Sequence, residues 1–183
     1  MPALLGDEVD QLARHHDRLY DLRPVEPGGE TLGIACETLL VLAARHRDRT
    51  RFEFEVAHLL PHDVALREAI TAEEVPVTCI GGTPWWDPRW LARLRRLITD
   101  HRIDVVHVHA PLPAAGARLV ARSLPSARRP KVVVTLHNMW ESHHRVVRAL
   151  DRATYRLDDL RLTVSEAVRR SLPAPAARRA VTQ

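Results

Sequence analysis

Ile103-Asp104-Val105-Val106-His107-Val108-His109-Ala110-Pro111 is an apolar run that ends in two histidines and stops at a proline. Branched aliphatic residues in near-continuous sequence fit a strand covered on both faces, the pattern of a parallel sheet. Lys131-Val132-Val133-Val134-Thr135-Leu136-His137-Asn138 repeats the plan, with three adjacent valines between a charge and a polar turn. Between these two strands, residues 111–124 form an alanine-rich helix. Downstream, residues 141–155 carry a helical pattern, residues 160–164 read as a short strand, and Ser165 has the chemistry to cap a helix running to Leu172.

The same alternation continues upstream. Leu32, Ala35, Cys36, Leu39, Leu40 and Ala43 recur every three or four residues, so residues 31–46 form an amphipathic helix. Residues 52–60 and 76–80 read as strands, and residues 62–74 and 88–101 as helices. Strands and helices joined by short links predict an α/β fold, a Rossmann-like, doubly wound, mostly parallel sheet with helices on both faces. The expected organisation is a poorly defined segment over residues 1–27, one Rossmann-like domain over 28–172 and a flexible, Pro-, Ala- and Arg-rich tail over 173–183.

Composition narrows the function classes. The chain has 183 residues, 45% of them hydrophobic, which suits a soluble globular domain. No apolar run reaches the roughly 18 residues of a membrane span, and the N-terminus lacks the basic and apolar regions of a signal peptide. A cytoplasmic location follows, with Cys36 and Cys79 expected as buried free thiols. The net charge is +4, and among the 27 basic residues only Lys131 is lysine. The arginines are dispersed among acidic residues and aromatics make up only 4%, which argues against nucleic acid as a partner. Trp85, Trp86 and Trp90 among Arg89, Arg93, Arg95 and Arg96 keep peripheral membrane contact open. The stripe of Leu91, Leu94, Leu97 and Ile98 favours packing on the sheet instead.

Ligands of an open parallel sheet bind outside the carboxyl ends of its strands. Four polar groups fall there: Gly28-Gly29-Glu30, His107-Val108-His109, His137-Asn138 and Ser165-Glu166. Adjacent glycines let a backbone approach a phosphate closely, although an ordinary turn is the more frequent reason for them. Residues two apart on a strand share a face, so His107 and His109 point the same way. Three readings fit them: histidines hydrogen-bonded at the sheet edge, two ligands of a metal hydrolase, or a proton-handling group for a sugar or phosphate. Zinc needs a third ligand, which His137 could supply, but suitable acidic residues are scarce nearby.

Taken together these segments resemble the N-terminal, acceptor-side domain of family-4 glycosyltransferases. Residues 104–109 resemble that family's D-V-V-H-x-H strand, residues 132–137 its V-x-T-x-H strand, residues 162–168 its x-V-S-x-A-V turn, Pro27-Gly28-Gly29-Glu30 its Gly-Gly loop and Phe54-Glu55-Val56-Ala57 its second strand. The resemblance implies one half of a GT-B fold and retaining transfer from a nucleotide-sugar, with no cofactor and no required metal. It assigns His109 and His137 to catalysis, facing sugar and acceptor, and Gly28 and Gly29 to the donor phosphates. His107, Asn138, Ser165 and Glu166 would contact substrate. The acceptor would be a sugar, a lipid-linked species or another small molecule. Two departures stand out. The family's first apolar strand has only Asp17 to Val25 in its place, and the donor-binding domain with its pair of glutamates has no counterpart. The expectation is therefore a truncated chain, inactive alone and lacking a donor-binding partner domain. Competing classes are a non-catalytic α/β binding module and a His-x-His metal-dependent hydrolase.

Overall fold

Val132, Val133, Val134, Thr135 and Leu136 are all buried, because the strand they form has a neighbour on each side and helices packed nearby. A computed structural model of the chain describes residues 31–59, 64–81 and 87–182. These fall into two units, one holding residues 31–58 and 64–78, the other residue 59 and residues 79–81 and 87–182.

The first unit is built from α1 (Thr31–His46), β1 (Val56–His58), α2 (Val64–Ala72) and β2 (Val77–Cys79), whose last residue belongs to the second unit. The strands form a two-stranded sheet. Ala44, Ile70 and Val75 are its buried centre, with Leu40, Val41, Phe54, Val56 and Val77 around them. The strand read over residues 52–60 shrinks to the three residues of β1. Cys79 departs from the expected buried thiol: it ends β2 with its side chain exposed, and the next residue, Ile80, is the buried one.

The second unit contains α3 (Arg89–Asp100), β3 (Val105–Val108), α4 (Pro111–Arg122), β4 (Lys131–Leu136), α5 (Arg145–Thr154), β5 (Leu160–Thr163), α6 (Glu166–Ser171), α7 (Ala174–Ala177) and β6 (Ala180–Thr182). Its sheet is parallel in the order β3-β4-β5-β6, with Val106 level with Val132, Thr135 with Leu162 and Leu162 with Val181. The helical pattern over residues 141–155 is interrupted: a 3-10 turn at Trp140–Ser142 precedes α5, whose first turn is capped by the His144 ring accepting from the Val146 N–H at 3.3 Å. Part of the expected tail carries secondary structure. Pro173 starts α7 rather than ending order, and β6 adds an outer strand beside β5, where Thr163 and Thr182 hydroxyls meet at 3.3 Å.

Packing explains α3. Trp90, Leu94 and Ile98 are buried with Ala117, Val120 and Leu124 of the α4 region, and Val106 and Val108 pack against them. Gly116 makes room for this: a Cβ there would lie 1.9 Å from the Trp90 ring. Trp90 is thus a core residue, not an interfacial one, and Arg93 turns back to donate to the Ile80 and Gly81 carbonyls at 2.8 and 2.9 Å. Trp85 and Trp86 lie outside the described residues. The helix ends with Arg102 in the left-handed region (φ 55°), letting the Ile103 N–H reach back to the Ile98 carbonyl at 3.0 Å and turn the chain into β3.

The strand over residues 103–109 is not covered on both faces. Val106 and Val108 pack inward, whereas Val105 and His107 on the opposite face are exposed. The deepest polar feature joins α4, α5 and β5. Arg118 and Asp151 are fully buried, and Arg161 and Asp158 nearly so, at 2% and 6% exposure. Arg118 donates to Asp151 at 2.8 Å and twice to Asp158, and Arg161 donates to Asp151 at 2.6 Å and to Asp158 at 3.0 Å.

Removing one member leaves buried charge without its partner, which typically costs about 3–5 kcal/mol. Arg118→Met should lower unfolding stability by about that amount in urea titrations. Lys131→Met, which breaks the exposed Lys131–Asp159 pair, should cost less than about 1 kcal/mol. Equal effects of the two substitutions would contradict this ranking.

Candidate functional site at the carboxyl ends of the parallel strands

β3 and β4 run side by side, and each is followed at once by a histidine, His109 after Val108 and His137 after Leu136. The parallel register places His107 level with Val133, so His109 lies level with Thr135. Each histidine reaches two residues further along the neighbouring strand. His107 Nε2 meets Thr135 Oγ at 2.8 Å, and His109 Nδ1 meets His137 Nε2 at 3.1 Å. The rings form a tilted stack, with centroids 4.3 Å apart between His107 and His109 and 5.3 Å between His109 and His137.

A neutral imidazole offers one N–H and one lone pair. The His109–His137 contact therefore needs a proton on one of the two facing nitrogens and a lone pair on the other. Whichever tautomer holds, the contact joins a donor on one ring to an acceptor on the other. The contact also occupies two of the nitrogens that a shared metal ion would require. Among the described residues no group of three or more His, Cys, Asp or Glu side chains is arranged to hold a metal. Thr135, fully buried, is a site residue that the apolar pattern hid; its signal was a lone hydroxyl within the buried run of β4.

The remaining expected residues are placed as follows. Asn138 follows His137 in an exposed turn. Ser165 lies after β5 and caps α6, its Oγ accepting from the Val168 N–H at 3.2 Å. Glu166 is gripped by its own helix and by the outer strand: Arg169 donates to both its oxygens at 2.7 and 2.5 Å, Arg170 at 3.2 Å and the Thr182 hydroxyl at 3.1 Å. Arg169 above all holds this carboxyl down to about 2. Ser165 and Glu166 thus carry local structural bonds, while His107, His109 and His137 are the expected residues that the structure brings into mutual contact. Gly28 and Gly29 lie outside the described residues.

Comparison with known proteins adds one finding: the family model of Glycosyltransferase Family 4 matches residues 37–180. No curated protein and no solved structure matches the chain.

Glu166 provides a check on the local electrostatics. A carboxyl lowered by folding stabilises the native state above its ordinary titration range and loses that contribution as pH falls towards about 2. An NMR titration should place its midpoint near 2 and move it up towards 4.5 in Arg169→Ala. An unmoved midpoint would show that Arg169 is not the cause.

Proposed function

The chain belongs to glycosyltransferase family 4, and on that premise we propose that its histidine-bearing strand ends form the acceptor side of a retaining glycosyl transfer from a nucleotide-sugar. The observation that carries the reading is the His109–His137 pair at 3.1 Å, at the carboxyl ends of adjacent parallel strands, where ligands of such sheets bind. In the transfer, a bond forms between an acceptor oxygen and the anomeric carbon. The bond from that carbon to the leaving phosphate oxygen breaks, the phosphate departing as its anion, and the acceptor hydroxyl passes its proton to the imidazole that accepts its hydrogen bond. One imidazole of the pair accepts that hydroxyl's hydrogen bond and aims its oxygen, while the other donates to a sugar oxygen. His107, anchored on Thr135, packs against His109 and limits how its ring turns. Asn138, Ser165 and Glu166 would line the approach of the acceptor.

In this reading the donor is held by a second Rossmann-like domain, with Gly28 and Gly29 bordering its phosphates. A cytoplasmic setting belongs to the same proposal and suits the free thiol at Cys79. Among the described residues no helix is long and apolar enough to cross a membrane.

Three measurements test the proposal. Saccharide acceptors added to the chain should shift the imidazole resonances of His109 and His137, and His109→Ala should abolish the response at His137. Silence of both rings towards a panel of acceptors would overturn the acceptor assignment. A labelled nucleotide-sugar should give no transfer with the 183-residue chain by itself; turnover would refute the division of labour. Where a donor domain restores turnover, His109→Ala or His137→Ala should lower kcat about a hundredfold or more.

A further inference from the structure

Helix α5 turns one face towards the core and leaves another uncovered. Asp151 and Thr154 point inward, into the buried charge cluster. On the outer side, Arg145, Arg148, Ala149, Arg152 and Ala153 line, with Trp140, an open groove of about 620 Å³. The helical period arranges this face in order. Arg145, Arg148 and Arg152 occupy one flank, the two alanines form the middle, and Val146 and Leu150 occupy the other flank. Val146 is 54% and Leu150 38% exposed, and Met139, next to Trp140, is exposed as well. Among the described residues none of the three arginines is bonded to a carboxylate.

We propose that this face of α5 docks onto an anionic lipid surface. Both flanks are explained by one occupant. The unneutralised arginines match phosphate and carboxylate headgroups, and Val146 and Leu150 match the boundary of the acyl region beside them. A soluble anion would engage the arginines and leave the aliphatic flank without purpose. An apolar protein partner would cover the aliphatic flank and bury three unpaired charges. The docking face is separate from the histidine pair, and its test does not depend on glycosyl transfer. It also differs from the tryptophan-rich stretch before α3, since Trp90 there is committed to the core.

Co-sedimentation with phosphatidylcholine vesicles, with and without phosphatidylserine, tests the proposal. The chain should bind only the phosphatidylserine-containing vesicles, less so as salt is raised. Replacing Arg145, Arg148 and Arg152 by Gln together should reduce partitioning, by about fivefold per arginine removed. Val146→Ser with Leu150→Ser should also reduce it at unchanged charge. Arg95→Gln with Arg96→Gln, on the exposed side of α3, removes charge elsewhere and should leave most of the binding intact. Circular dichroism confirms that each variant folds. No binding by the unmodified chain, an equal loss per arginine in the α3 control, or full binding after the serine substitutions would each overturn the proposal.

Discussion

Two arginines and two aspartates sealed between α4, α5 and β5 set the terms for the rest of the second unit. Isolated, any one of these ions would cost several kcal/mol to take out of water. Together they sum to zero charge, and each carboxylate receives donors from both guanidiniums. The balance is not perfect. Burial pushes the Asp158 carboxyl up despite Arg118 and Arg161 beside it, so desolvation outweighs the pairing at that position. Its protonated form is favoured by folding, and its contribution to stability weakens as pH rises through that raised value. Among the described residues Arg161 Nε has no hydrogen-bond acceptor, and the guanidinium lies 5.8 Å from the Tyr155 ring centre, which supplies part of that contact. Such a cluster adds little net energy compared with aliphatic packing. Its effect is on alignment, since no shift of α5 along α4 can preserve all these bonds.

That alignment reaches the strands. Arg161 is level with Val134 in β4 and with Ala180 in β6, so the cluster is tied to the centre of the sheet. From there the parallel ladder carries position to Val108 and hence to His109. The histidine pair is held by backbone pairing over residues 105–108 and 131–134, and the side chains complete an arrangement the register has already made.

Much of the architecture was legible in the residues. The valines of β4 lie between Lys131 and a polar turn, and the strand occupies residues 131–136 as read. The three- and four-residue spacing in residues 31–46 marks α1 to the residue. Other features were hidden for physical reasons. Arg118, Asp151, Asp158 and Arg161 look like solvated charges because polarity in sequence does not show which partners lie 33 or 40 positions away. The last residues look like a frayed tail because Pro, Ala and Arg are poor strand formers, yet a three-residue edge strand needs only one neighbour to pair with. In the site, parity put His107 and His109 on one side, but only register could reveal that Thr135 and His137 are their partners. Ser165 was readable as a helix cap, and that local use is the one the structure displays.

Both side-chain bonds between β3 and β4 span the same interval, 28 positions from His107 to Thr135 and 28 from His109 to His137. The crossover helix α4 therefore acts as a spacer of fixed length between two matched pairs of teeth. A slip of one position between the strands would part both pairs at once and turn alternate side chains to the opposite face. The two imidazole contacts serve as a built-in gauge of whether the strands have mated correctly.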